Sequence, residues 1–230
     1  HDLVPVPDYA KKLINQGMIL GNSAFISRLN GSDIYFSNGL IEGKNVQAVH
    51  VDIKFVNANN ELNIDELRNW QPQFSKSEFK LENKKFFVKR EIEKMSKSKY
   101  NVVNPDEICN KFGADTLRLY EMFLGPIEQA KPWNTAGITG TFSFLNKFWN
   151  LFHKNEEFIL SDNNPSEKAL KILHKTIKKV NQDIENFSFN TSVSAFMICV
   201  NELNTIKCNN RSILKDLCVL LSPFAPHICE

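Results

Sequence analysis

The sequence predicts an α+β fold, mainly α. Between about 25 and 92, short apolar runs alternate with polar residues and are broken by turn signals such as Ser37-Asn38-Gly39, which is strand chemistry. From 135 onward the apolar residues recur at steps of three and four, the period of one helix face. A third feature separates the two regions. The run Lys94-Met95-Ser96-Lys97-Ser98-Lys99-Tyr100-Asn101 begins with three ammonium groups and two hydroxyls within six residues.

At 230 residues the chain is long enough for one large or two modest domains with real cores. A hydrophobic content of 42% and a charged content of 23% are ordinary for a soluble globular protein. The net charge of +2 is too small to argue nucleic-acid binding by itself, but its distribution is uneven. Residues 76–99 hold nine Lys or Arg (76, 80, 84, 85, 89, 90, 94, 97, 99) against four Glu (78, 82, 91, 93). That excess reads either as a patch able to attract polyanions or as general lysine drift, since Lys outnumbers Arg 23 to 5. The five cysteines form no C-x-x-C pair, and the five histidines are scattered, so no zinc or other metal site is expected. The odd cysteine count and the lack of a secretory signal suggest a reducing cytosol, and no apolar run approaches a membrane span. The chain starts at His1 and stops at Glu230 as a new helix begins, so both ends read as cuts through a longer protein.

In chain order, residues 8–16 read as a short helix with Asp8 as cap and Gly17 as stop. Ile34-Tyr35-Phe36 reads as a strand, and Val46 to Val56 as a longer one with Val49, Val51, Ile53 and Phe55 on one face. Asn57-Ala58-Asn59-Asn60 breaks it, and Asn63 caps a short helix ending near Trp70. Phe86-Phe87-Val88 is a further strand leading into the lysine run. A helix follows from Pro105 to Lys111, capped by Asn104, with Asp106 and Glu107 complementing its dipole. Gly113 stops it, and a second helix runs from Ala114 to Phe123. Arg118 on that helix either pairs with Asp115 or Glu121 or contacts RNA.

The remainder reads as helical. Residues 138–153 place Leu145, Phe148 and Phe152 on one stripe, with Phe142 and Trp149 adjacent; these aromatics are core or, less often, base-stacking groups. Residues 167–187 place Leu173, Ile177, Val180, Ile184 and Phe187 on a stripe opposite Lys171, Lys175, Lys178 and Lys179. Residues 191–207 place Val193, Phe196, Val200 and Leu203 on theirs, and a fourth helix spans 212–221, stopped by Ser222-Pro223. Short links between helices of this length imply antiparallel neighbours in a bundle.

The lysine run contains no base and no nucleophile. Lysine heads are point charges on flexible stems, and hydroxyls and loop N–H groups add hydrogen bonds to phosphate oxygens. Its chemistry is electrostatic: holding a polyphosphate and offsetting charge that develops as it reacts. A solvated basic loop is the alternative for an arbitrary run of this kind. This one resembles, letter for letter, the KMSKS signature of the class I aminoacyl-tRNA synthetases. Asn101-Val102-Val103-Asn104-Pro105-Asp106-Glu107, the stretch Gly113 to Pro126 and Lys131-Pro132-Trp133-Asn134 look like the leucyl-tRNA synthetase version. Leu13 to Met18 and Leu220 to His227 also resemble that family. Tyr100 stands where many members have Gly, and a bulky residue limits the backbone there to φ < 0.

The resemblance implies a fold and an activity. Residues 1–101 would be the C-terminal remnant of a Rossmann-like catalytic domain, with a small β-rich insertion over about 25–92 and the signature loop at 94–98. Residues 102–134 would form a stem-contact-like helical linker, and 135–230 a truncated anticodon-binding helical bundle. The implied enzyme is a leucine-tRNA ligase, monomeric and cytoplasmic as the full-length protein, with ATP and accompanying Mg2+ as cofactors and leucine and tRNA(Leu) as partners. Lys94 and Lys97 would be catalytic, and Lys94, Met95, Ser96, Lys97 and Ser98 would bind ATP. The HIGH-type motif of the family does not occur in this chain. The alternatives are another class I enzyme (isoleucyl, valyl or methionyl) and a non-catalytic tRNA-binding module.

Overall fold

The computed structural model describes residues 10, 12–155 and 157–230. The chain divides into two compact units, Met18–Val103 and a second made of the segment up to Gly17 with Asn104–Glu230.

The first unit is built on a long strand. β1 spans Ile19–Leu29 and begins well before the expected boundary near 25. β2 (Ile34–Phe36), β3 (Val46–Val51), β4 (Glu78–Lys80) and β5 (Lys89–Lys94) complete the sheet of this unit. β3 runs antiparallel along one edge of β1, pairing Ala24 with Val51 and Leu29 with Val46. The other edge is shared: β5 takes the first half, from Leu20–Lys94 to Phe25–Lys89, and β2 takes Ser27 and Arg28. β4 lies parallel to β2. Side chains alternate across the pleat, so Ala24 and Ile26 of β1 enter a core with Tyr35, Val51, Phe55, Leu67, Phe74 and Phe86.

The strand expected from Val46 to Val56 ends at Val51. Asp52 Oδ1 accepts from the Lys54 amide at 3.0 Å and turns Ile53–Phe55 into a 3₁₀ turn. Phe55 still reaches the core, but from that turn. Asn63 caps α1 (Ile64–Trp70) through the Glu66 amide, as its sequence signal predicts. Phe86-Phe87-Val88 precedes the strand rather than forming it: Phe86 accepts from the Leu62 amide, and the ladder with β1 starts at Lys89.

In the second unit, Asp8 and the start of the expected N-terminal helix lie outside the described residues. Residues 12–16 are not helical. Gly17 is a point of close approach and not a helix stop. Its amide donates to Ile127 O at 2.8 Å, and a Cβ there would lie 2.1 Å from the Gln129 backbone. Seven helices follow among the described residues. α2 (Pro105–Phe112) is capped by Asn104, and α3 (Ala114–Phe123) follows Gly113 directly. α4 (Ile138–Phe152), α5 (Glu167–Glu185), α6 (Phe189–Thr205), α7 (Arg211–Leu221) and the short α8 (Pro226–Cys229) complete the bundle.

α6 packs against α3, α4 and α5, and Val193, Phe196, Val200 and Leu203 along it are fully buried. Burying each such side chain contributes about 1.5–3 kcal/mol, so this helix is the centre of the core. α4 buries Leu145 and Phe148 as expected, but leaves Trp149 47% exposed and stacked on His153. α5 departs more. Its buried residues are Ala169, Ile172, Leu173, Thr176, Val180 and Asp183, whereas Ile184 is 40% exposed. The helix contacts both α6 and α7, so two neighbours set a face turned from the simple stripe. Arg118 pairs with neither Asp115 nor Glu121. It donates to the carbonyls of Pro223 (3.1 Å) and Phe224 (3.4 Å), while Asp115 accepts from the Ile228 amide and bonds His227 Nδ1 at 2.8 Å. Two side chains of α3 therefore clamp the corner between α7 and α8.

Candidate functional site

The lysine run leaves the sheet at the end of β5, where Lys94 pairs with Leu20 and Glu93 with Gly21 of β1. Its course is fixed by Asn101, which is only 2% exposed. Asn101 Oδ1 accepts from the Ser96 amide at 2.9 Å, and Nδ2 donates to Ser23 Oγ at 2.8 Å and Lys94 O at 3.3 Å. One amide group thus closes the loop on itself and ties it to β1. Gly21 makes room for this: a Cβ there would lie 2.5 Å from Asn101 O.

Between these anchors, Lys97–Lys99 form a 3₁₀ turn, with the Lys99 amide bonded to Ser96 O and the Tyr100 amide to Lys97 O. Ser96 Oγ and Ser98 Oγ lie 2.9 Å apart and shape the turn. Tyr100 leaves it at φ 51, ψ 34, left-handed rather than at the negative φ expected of a bulky residue. That conformation costs a non-glycine residue about 1–2 kcal/mol. Contacts within the unit offset it: the Tyr100 ring meets Trp70 edge-on at 4.7 Å, Gln71 Nε2 donates to its hydroxyl at 3.3 Å, and its carbonyl accepts from the Ile53 amide.

The three ammonium groups differ. Lys94 and Lys97 are exposed, and among the described residues neither amino group has a hydrogen-bond or ion-pair partner. Lys99 Nζ instead donates to Glu93 Oε1 at 2.6 Å. The other Glu93 oxygen lies 3.0 Å from His50 Nε2. A carboxylate only accepts, so that nitrogen carries the proton. Lys99, then the Ser23 hydroxyl, then His50 hold the Glu93 carboxyl well below its ordinary 4.5, at about 2, against a smaller opposing effect of burial. The group's stabilising contribution is therefore complete above its unfolded-state pKa and is lost as pH falls from about 4.5 towards 2. Acid titration followed by β-sheet circular dichroism should show the first unit of Glu93→Gln losing less stability over that window than the parent sequence. An equal loss in both would assign the acid sensitivity to other carboxylates.

Of the five residues expected from the signature, Lys94 ends β5, and Met95, Ser96, Lys97 and Ser98 follow it directly on the loop. Sequence reasoning did not find the roles of Asn101, Ser23, Glu93 and His50. The two loop-proximal ones adjoin the signature, but their partners stand 78 and 43 positions away. Two exposed unpaired cations beside paired hydroxyls and loop amides suit an oxyanion such as phosphate. Among the described residues, no group of three or more His, Cys, Asp or Glu side chains converges to hold a metal ion. No helix of the described residues is long and apolar enough to cross a membrane.

Comparison with known proteins gives the chain's relatives. Residues 79–133 match the family described as tRNA synthetases class I (I, L, M and V), and residues 166–230 match the anticodon-binding domain of tRNA ligase. The leucine–tRNA ligase of Christiangramia forsetii is 62% identical over 220 residues, 96% of this chain and 23% of that protein. That of Flavobacterium psychrophilum is 61% identical over 229 residues, 98% of this chain and 24% of that protein. Among solved structures, the Agrobacterium radiobacter K84 agnB2 LeuRS–tRNA–LeuAMS ternary complex matches 60% of this chain and 20% of its own, with 32% identity and a TM-score of 0.51. The chain thus spans about a quarter of the length of these curated relatives.

Proposed function

We propose, from the premise that this chain belongs to the leucine–tRNA ligase family, that it supplies the cationic loop of an ATP-dependent leucine-activating site and part of the helical domain that meets tRNA(Leu). In the reaction, a leucine carboxylate oxygen attacks the α-phosphorus of ATP, the bond to the bridging oxygen breaks, and leucyl-adenylate and pyrophosphate form. The ribose hydroxyl at the tRNA 3′ end then takes the leucyl group and releases AMP. Negative charge grows on the phosphoryl oxygens and the departing pyrophosphate in the first step. Cations that meet that charge more closely in the transition state than in the ground state accelerate it. Lys97 takes this role first and Lys94 second, with the Ser96 and Ser98 hydroxyls shaping the turn between them. Mg2+ would accompany the nucleotide. The reading carries with it a cytoplasmic location and a monomeric parent.

The observation that carries the proposal is the state of the loop: two exposed lysines without partners, on a turn whose ends are pinned by Asn101 and Glu93. A solvated basic loop has no need of such anchoring. The test is to offer the full-length parent leucine, isoleucine, valine and methionine with tRNA. Charging with leucine alone is expected. Charging with another of these, or with none, would sink the reading. The 230 residues by themselves hold one lysine-bearing side of an ATP site and no HIGH-type motif, so they should show no leucine-dependent pyrophosphate exchange.

A further inference from the structure

Two sets of hydrogen bonds hold the loop to the sheet. One runs from the Ser96 amide through the Asn101 side chain to Ser23 on β1. The other centres on Glu93 near the end of β5, which bonds His50 on β3 and, forward, Lys99 in the turn. The His50 ring is itself held against Phe25 at 4.3 Å between centroids. The lysines of the loop are chemically alike, yet Lys99 alone is drawn into this set. We infer that Glu93 is a positioning residue for leucine activation: it clips Lys99 to the sheet, fixes the 3₁₀ turn, and so reserves Lys94 and Lys97 as the cations offered to the triphosphate.

The inference rests on the proposed function for its consequence and on geometry for its substance. Five residues, 94–98, separate Glu93 from Lys99, so the pair spans the whole signature. Closing that span fixes both ends of a segment whose own internal bonds are a single 3₁₀ turn and one Ser–Ser contact. Without the carboxylate, Lys99 is released as a third free cation, and the turn keeps only the anchors made by Asn101 and Tyr100. A nucleotide then meets an ensemble of loop shapes and loses affinity by the fraction of competent ones.

Two measurements test this. In the chain itself, hydrogen exchange at the Lys99 and Tyr100 amides of Glu93→Gln should quicken about tenfold, with the β1–β3 ladder amides unchanged. Unchanged exchange in the loop, or equal quickening in the ladder, overturns the clip. In the full-length parent, Glu93→Gln and Lys99→Met should each raise the KM for ATP about tenfold and leave the KM for leucine alone, and the double variant should be no worse than either single. Multiplying effects in the double, or equal rises for ATP and leucine, overturn the positioning role. If the unaltered parent shows no leucine-dependent exchange, the proposed function fails, and the amide measurement still decides the clip.

Discussion

Replacing Lys97 by Ala in the full-length parent should lower leucine-dependent pyrophosphate exchange about 100- to 1,000-fold, the loss typical of removing one preorganised group that meets developing charge. The loss should fall mainly on kcat, because a cation that tightens onto the charge only as it forms contributes little to ground-state binding. Lys94→Ala should do less, since Lys94 sits on the last rung of the β5 ladder, opposite Leu20, and not on the turn itself. Lys97→Arg should recover only part of the rate, because a planar fork does not replace a compact point charge. Folding is not the issue: Lys97 is exposed and makes no side-chain bond among the described residues, so the variant should melt with the parent. Exchange at the parental rate in Lys97→Ala would remove the loop from the mechanism.

Asn101→Leu should strongly destabilise the first unit. The substitution keeps the branching at Cγ but strips three hydrogen bonds from a nearly inaccessible position. Ser23 Oγ is left buried without its donor, and each such orphaned group costs about 1–3 kcal/mol. The Ser96 amide and Lys94 carbonyl lie nearer solvent and recover part of their loss from water. We therefore expect about 2–4 kcal/mol of destabilisation, and a fall of about 8 °C or more in the midpoint of the unit's thermal transition. Asn101→Asp keeps the acceptor for Ser96 and loses the donor, so it should fall between the two. The Asn101→Leu chain is expected to lose loop order before sheet order; a melting curve indistinguishable from the parent would show that the amide ties nothing down.

Much of this architecture was legible in the sequence, and the limits follow from the physics. The α6 stripe of Val193, Phe196, Val200 and Leu203 was readable because the helix is central and its apolar positions simply face inward. The α5 stripe was misread by part of a turn because two neighbouring helices, not periodicity, choose its buried face. The Asn63 and Asn104 caps were readable because capping is local. Arg118 was not, since its carbonyl partners lie more than a hundred residues on, at a corner that exists only once the bundle is folded. The five signature residues were recognised from their order alone, but that order is silent on which lysines stay free. Sorting Lys99 from its neighbours needs the β1–β5 and β1–β3 registers that bring Glu93 to His50. Tyr100 misled for a related reason: the left-handed region is unfavourable for an isolated residue, and only Trp70 and Gln71, about thirty positions away, make it tenable.

The way β1 is shared within its unit has a practical corollary for heat. Only Ala24 and Phe25 are paired with both β3 and β5, while Leu20 to Ser23 are held in this unit by β5 alone. The rung that carries Lys94 therefore lies at the thin end of the ladder and should fray first on warming, so that the usable temperature ceiling of the loop falls below the melting point of the strand that supports it.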